Sequence, residues 1–332
     1  MPRVSVLLPY RNATATLDAA IASIAAQVFT DWELLLVDNA STDAGPSLAH
    51  RWSERDPRIK LLHEPRIGIA RALNTGLAHA EGTYMARMDA DDISHPERLA
   101  KQVAYLDANP GIGVLGTRTA FVSTVRESRG MQAFVEWQNM IITPHDHSVK
   151  RFVDAPLAHP SALFRRELVE QHGGYSTAPL PEDHELWLRW MDAGVRFAKL
   201  PEVLLTWSDH AHRLSRTHAN YSADAFFRTK AKWLARWLKG KLNGRALIVA
   251  GASKLCRGRA ALLEAEGVTI DAFTDVKARG VPGRAFISHE ELPPAGEAFI
   301  VSFISQRGAG GRIAAYLSSR ALAEGADFIL AA

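Results

Sequence analysis

The chain has a single cysteine, Cys256, among 332 residues. One thiol excludes any intramolecular disulfide, which fits a reducing, cytoplasmic setting. No His stands beside Cys256, so it reads as a small buried hydrophobe rather than a nucleophile. Long apolar runs are also missing. The N-terminal run in "MPRVSVLLPYRN" covers only residues 4–8, too short for a signal peptide. No later window reaches the roughly 18 apolar residues that suggest a membrane span. An excess of one charge is missing too. The 39 Lys and Arg nearly balance the 36 Asp and Glu, for a net charge of +3, so no nucleic-acid partner is implied.

What is present is an alternating pattern. "VSVLLPY" (4–10) and "WELLLVDNAS" (32–41) read as buried strands. "ATATLDAAIASIAAQ" (13–27) places Leu17, Ile21 and Ile24 on one helical stripe. Strand and helix keep alternating through "IKLLHE", "IARALNTGLAHAEG" and "TYMARM". Alternation of this kind calls for an α/β fold whose mostly parallel sheet is covered on both faces. Ligands then bind beyond the C-terminal strand ends. The polar residues at those ends are Tyr10, Arg11, Asp38, Asn39, Asp89 and Asp91. Residues 145–148, "HDHS", read as a loop. Near residue 240 the composition turns basic, and "RALIVAGAS" then opens a second α/β unit. The expected division is 1–225, a basic helical linker over 226–243, and a smaller Rossmann-like domain over 244–332.

The densest chemistry lies in "MDADDISHPE" (88–97). Asp89 and Asp91 are two apart, so at a strand end both carboxylates face one point. Hard oxygen donors so placed suit Mn²⁺ or Mg²⁺. An acidic turn before a helix is the alternative, but Ser94 and Glu97 form the pattern of a capping box, leaving the aspartates unneeded as caps. Asp92 stays open between support and a plain turn. Asp38 suits either a nucleoside contact or a local turn. Glu182 and Asp183 stand at a helix start, where the dipole favours acids and keeps Asp183 ionised, as a base requires. The glycine turn "GASKLCRG" breaks dinucleotide-loop spacing at Ser253. The basic stretch 228–241 carries Trp233 and Trp237 one helical turn apart. It suits peripheral contact with an anionic membrane on the inner face, or packing between domains.

These motifs together resemble the family 2 glycosyltransferases of GT-A fold, over about residues 3–220. The segments that carry the likeness are "VSVLLPYRN", "LLLVDNASTD", "GIARALNTGLAHAEGTYMARMDADDISHPERLAKQ", "PLAHPSALFRRELVEQHGGY" and "PEDHELWLRW". The resemblance implies a donor pocket lined by Pro9, Tyr10 and Arg11, with Asp38 on the nucleobase and Arg71, Asn74 and Arg87 on the donor side. It implies Asp89 near the ribose, Asp91 on the metal, His210 joining the metal, and Asp183 as catalytic base. His159, Glu182 and Trp187 fall on the acceptor side. Asn39 departs from the family pattern, where a second Asp is common. The last ninety residues look like the Rossmann-like domain appended to some bacterial members.

The implied reaction is an inverting transfer of a sugar from a nucleoside-diphosphate sugar, with uridine diphosphate as the nucleotide. The acceptor is a hydroxyl of a glycan or lipid-linked saccharide. A sugar nucleotidyltransferase would use similar acids, but no Gly-rich triphosphate loop follows the first strand. A non-catalytic nucleotide-sugar-binding protein would not need the whole acidic set.

Overall fold

The structure, a computed structural model, describes residues 1–126, 128–277, 280–306 and 308–332. It forms two compact units, Met1–His147 with Leu157–Tyr221, and Ser148–Pro156 with Ser222–Ala332. This division differs from the expected boundaries in two ways. The basic helix is part of the second unit rather than a linker, and residues 148–156 belong to that unit as well.

The first unit begins β1 (Val4–Tyr10), α1 (Leu17–Ala25), β2 (Trp32–Asp38), α2 (Gly45–Arg55), β3 (Ile59–His63), α3 (Ile69–His79) and β4 (Tyr84–Arg87). It continues with β5 (Ile93–Ser94), α4 (Arg98–Ala108), β6 (Val114–Ser123), α5 (Arg129–Met140) and α6 (Pro144–Lys150), which runs into the second unit. β7 (Leu163–Arg165), α7 (Glu167–His172), α8 (Glu182–Asp192), β8 (Phe197–Asp209) and α9 (Leu214–Thr217) complete it. One sheet holds all eight strands in the order β3-β2-β1-β4-β7-β6-β8-β5. β1 to β4 are parallel, and β7 runs antiparallel to both β4 and β6. The result is a mixed, mostly parallel sheet.

Side-chain alternation explains the layers. Val4, Val6 and Leu8 face one core with Leu17, Ile21, Ile24, Leu99 and Val103 of α1 and α4. Leu7 and Leu35 face the other with Leu73, Leu186, Trp187 and Trp190 of α3 and α8. Truncating a fully buried Leu such as Leu7 to Ala would cost about 2–5 kcal/mol. A buried polar node sets β4 beside β1. Glu33 accepts from Ser5 Oγ (2.5 Å) and from Glu81 N (2.8 Å), and pairs with Lys60 at 2.7 Å. Gly82 is required there, because a Cβ would lie 2.6 Å from the Ser5 nitrogen. The acids at the end of β4 therefore emerge from a fixed frame.

Several local expectations change. The Ser94–Glu97 capping box does not form. Ser94 is buried in β5, and α4 starts at Arg98, whose preceding residue Glu97 makes no capping bond. Gln27, distant in sequence, supplies the cap instead, its Oε1 accepting from Leu99 N at 3.0 Å. The segment expected as a loop at 145–148 is helical, started by Pro144 and by Asp146 accepting from Thr143 N at 2.9 Å.

The second unit contains α10 (Ala223–Lys239), β9 (Ala246–Ala250), α11 (Lys254–Ala265), β10 (Ala272–Thr274), β11 (Ala285–Phe286), β12 (Ala298–Ser302), α12 (Ala309–Ser319) and β13 (Phe328–Leu330). Its five strands are parallel, in the order β11-β10-β9-β12-β13. Ser222 caps α10, its hydroxyl accepting from Ala225 N. Trp233 is buried, and Trp237 packs on Phe152 and Phe299 at 5.7 Å from each. Trp237 itself is half-buried, so both aromatics are at least partly packed within the second unit. Cys256 is buried, as read. No helix among the described residues is long and apolar enough to cross a membrane.

Candidate active site

β1 and β2 pair in register, placing Tyr10 opposite Asp38 and Pro9 opposite Val37 at the carboxyl edge of the sheet. Both strands leave through left-handed residues, Asn12 at φ 51° and Ala40 at φ 57°. For Ala this region costs about 1–2 kcal/mol, so the surroundings must hold the turn. They do: Asn12 Oδ1 accepts from Thr42 N (2.8 Å), and Ser41 Oγ accepts from Asn12 N (3.1 Å). Asp38 accepts from Ser41 N through Oδ1 (3.1 Å) and meets His63 Nδ1 through Oδ2 (3.1 Å). The Tyr10 phenol is pushed up by burial and then by the nearby Asp38 and Asp43 carboxylates. Arg11 is exposed beside it.

Asn39 has a task that an Asp could not perform. Its amide nitrogen donates to the carbonyls of Glu64 and Arg66, both at 3.0 Å, and its oxygen accepts from Gly68 N at 2.8 Å. A carboxylate has no donors for those carbonyls. Arg71 is half-buried in the first turn of α3, behind Gly68. Asn74 is committed elsewhere, its side chain bonding both Tyr175 O (2.8 Å) and Tyr175 N (2.9 Å). It clamps the loop before α8.

Beyond β4, one carboxylate oxygen from each of Asp89, Asp91 and Asp92 lies within 4.8 Å of the others. Arg87, buried at the strand end, donates to Asp89 at 2.5 Å, and Arg213 approaches the other Asp89 oxygen at 3.4 Å. His210 Nε2 lies 2.9 Å from Asp91 Oδ2. Asp92 accepts from Ser208 N at 2.8 Å, while its Oδ2 is buried without a partner. The three groups do not share the charge equally. Burial raises Asp89, but Arg87 and then Arg213 outweigh it and hold the carboxyl below its usual range. Burial and then Asp89 push Asp91 up, and do the same more strongly to Asp92. A divalent cation would relieve that repulsion and meet the unpartnered oxygen, so the donor set fits Mn²⁺ or Mg²⁺.

Two more acids open α8. Glu182 is buried, with Oε2 accepting from the Tyr221 hydroxyl at 2.7 Å. Asp183 is half-buried, and its Oδ1 accepts from His184 N at 2.7 Å. The Tyr221 hydroxyl is raised by burial and then by Glu182, Asp183 and Asp89, so these acids share one neighbourhood. His159 Nε2 bonds the Tyr175 hydroxyl at 2.8 Å. Burial, then Arg87, holds the imidazole well below its usual range, and so neutral.

The model of "Glycosyl transferase family 2" matches residues 5–173. The chain belongs to this family. Among relatives, the "Putative glycosyltransferase EpsE" of Bacillus subtilis (strain 168) is 32% identical over 67% of this chain and 79% of its own length. The "Amylovoran biosynthesis glycosyltransferase AmsE" of Erwinia amylovora is 29% identical over 61% of this chain and 74% of its own. Among solved structures, S. aureus TarS 1-349 in complex with UDP-GlcNAc superposes with a TM-score of 0.58 at 18% identity, covering 80% of this chain and 71% of that one. That likeness shows the GT-A fold.

In this family 2 glycosyltransferase, Pro9, Tyr10, Arg11 and Asp38 share the β1–β2 edge, while Arg87, Asp89, Asp91 and His210 form one polar cluster. Trp187, expected on the acceptor side, lies in the core. It is 0% exposed, enclosed by His159, Phe164, Trp190 and Phe197 at 5.5–6.4 Å between ring centres. Glu182 and His159 are also buried, behind the more open Asp183. Sequence reading missed Arg213, Tyr175 and Tyr221. Arg213 is held by stacking on Trp207 (4.3 Å) and by Ser208 O (2.8 Å). It lies in the polar "HAHRLSRTH" stretch, where neither spacing nor charge marks it out.

Proposed function

We propose that this chain transfers a sugar from a nucleoside-diphosphate sugar to an acceptor hydroxyl with inversion, in the synthesis of a cell-surface polysaccharide or lipid-linked glycan. The observation that carries this reading is the grouping of Asp89, Asp91 and Asp92 beyond β4, with Asp89 and Asp183 both close enough to act on the Tyr221 hydroxyl. Asp183, at the positive end of α8, takes the proton of the acceptor hydroxyl. The acceptor oxygen forms its bond to the anomeric carbon as the bond to the diphosphate breaks, so the anomeric centre inverts. Such a positioned base accounts for about 10²–10⁴ of the rate. Asp89 and Asp91, with His210 beside them, would hold Mn²⁺ or Mg²⁺, which when bound would supply charge neutralisation for the leaving diphosphate. Tyr10 and Asp38 flank the nucleoside, with Asp38 accepting from the base. Arg213 adds positive charge next to Asp89.

Uridine diphosphate is the first nucleotide to try, because TarS of the same fold was solved with UDP-GlcNAc. The polysaccharide setting follows from the names of the relatives, amylovoran and O-antigen biosynthesis among them. The enzyme would act on the cytoplasmic side of the membrane. The test is a panel of nucleotide sugars with Mn²⁺, reading nucleoside diphosphate release. Release that needs the metal and is lost in Asp91→Ala supports the proposal. Pyrophosphate release from a sugar phosphate and a nucleoside triphosphate would reassign the chain as a nucleotidyltransferase.

A further inference from the structure

Two carboxylates stand side by side at the start of α8, and only one can be the base. The fold separates them. Glu182 turns inward and is 5% exposed, whereas Asp183 stays half-buried. The Tyr221 hydroxyl closes on Glu182 Oε2 at 2.7 Å. Tyr221 follows α9 and comes from a different part of the chain, 39 residues away. We propose that Tyr221 is a positioning residue: its hydrogen bond pins Glu182 inward and leaves Asp183 as the single acid presented to the acceptor. The inference rests on the transferase reading above.

The surroundings agree with this division. Glu182 is faced by Asp183 on its own helix, Tyr221 after α9, Arg87 at the end of β4 and Tyr175 in the loop before α8. Burial, then Asp183, pushes its carboxyl up to about 8. At neutral pH Glu182 therefore keeps its proton and adds no charge against Asp183. Oε2 is taken as an acceptor, so that proton sits on Oε1. The Tyr221 hydroxyl donates most strongly to the ionised carboxylate. Removing it makes ionisation of Glu182 harder still.

Tyr221→Phe in the full chain tests the assignment, with steady-state rates measured from pH 6 to 10. The expected result is a fall in kcat of about three- to tenfold, the size of one lost hydrogen bond, with donor KM within about twofold. The unchanged KM shows that the variant is folded. An inflection in kcat near pH 8 should move to higher pH in Tyr221→Phe and vanish in Glu182→Gln. A tyrosine that only fills space would leave the inflection in place. Wild-type kcat and pH profile in Tyr221→Phe would overturn the inference while leaving the transferase reading intact. Turnover surviving in Asp183→Asn is a different failure, since it removes the base on which both rest.

Discussion

The two units obey one building rule and differ at the same place. Each has a run of parallel strands, and in each the chain leaves the carboxyl ends of those strands through short polar turns. In the first unit those ends carry Asp38, Asp89, Asp91 and Asp92, and Asp92 Oδ2 is buried without a partner. In the second, the turn after β9 is filled by its own side chains. Asp275 accepts from Ala252 N (2.8 Å) and Lys277 N (3.2 Å), and Ser253 Oγ accepts from Cys256 N. A Cβ on Gly251 would lie 2.6 Å from Cys256 Sγ, so the glycine is there for packing. Among the described residues, only the first unit holds acids grouped for an ion. Architecture supplies the edge, and unsatisfied polar atoms at that edge distinguish a site from a turn.

Substitutions sharpen this contrast in graded steps. Asp183→Asn should lower kcat by about 10²–10⁴, measured as sugar transfer, with donor binding kept. Asp91→Ala should lower turnover by about 10²–10³, and the loss should persist at saturating Mn²⁺. Asn74→Ala should cost about 1–3 kcal/mol in denaturant unfolding and also reduce kcat, because it frees the loop that places Tyr175 against His159. At the corresponding edge of the second unit, Asp275→Ala should cost about 1 kcal/mol and leave kcat unchanged. A large activity loss there would break the contrast.

The buried Glu182 adds a pH signature confined to the first unit. Its folded value, about 8, lies above its ordinary 4.5, so the native state binds this proton more tightly than the unfolded chain. The associated stability is present in full below pH 4.5 and is lost as pH rises through about 8. Melting temperatures of wild type and Glu182→Gln should therefore diverge between those limits, the wild type falling more steeply with pH.

Much of this was legible in the sequence because it rests on local pattern. Continuous apolar runs marked β1 and β2 as buried strands, and the i, i+2 spacing of Asp89 and Asp91 foretold their convergence. What stayed hidden depends on contacts far apart in the chain. Gln27 caps α4 from 72 residues away, displacing the local Ser94–Glu97 pattern. Asn74 reaches Tyr175 across 101 residues, so its polar side chain looked free for a donor. Trp187 stood beside acids and read as an acceptor contact, yet helical phase turns it into the core. Asp92 was undecided because a carboxylate buried beside Ser208 leaves no mark in the local sequence. Asn39, first read as a lost charge, proves to be a donor that the fold needs.

The central claim is that the acid cluster binds the donor while Asp183 performs the chemistry. Calorimetric titration of uridine diphosphate with Mn²⁺ into wild type, Asp91→Ala and Asp183→Asn, paired with transfer rates, tests it most directly. The account expects Asp183→Asn to bind like wild type without turning over, and Asp91→Ala to lose metal-dependent binding. Wild-type binding by Asp91→Ala, or transfer by Asp183→Asn, would contradict it.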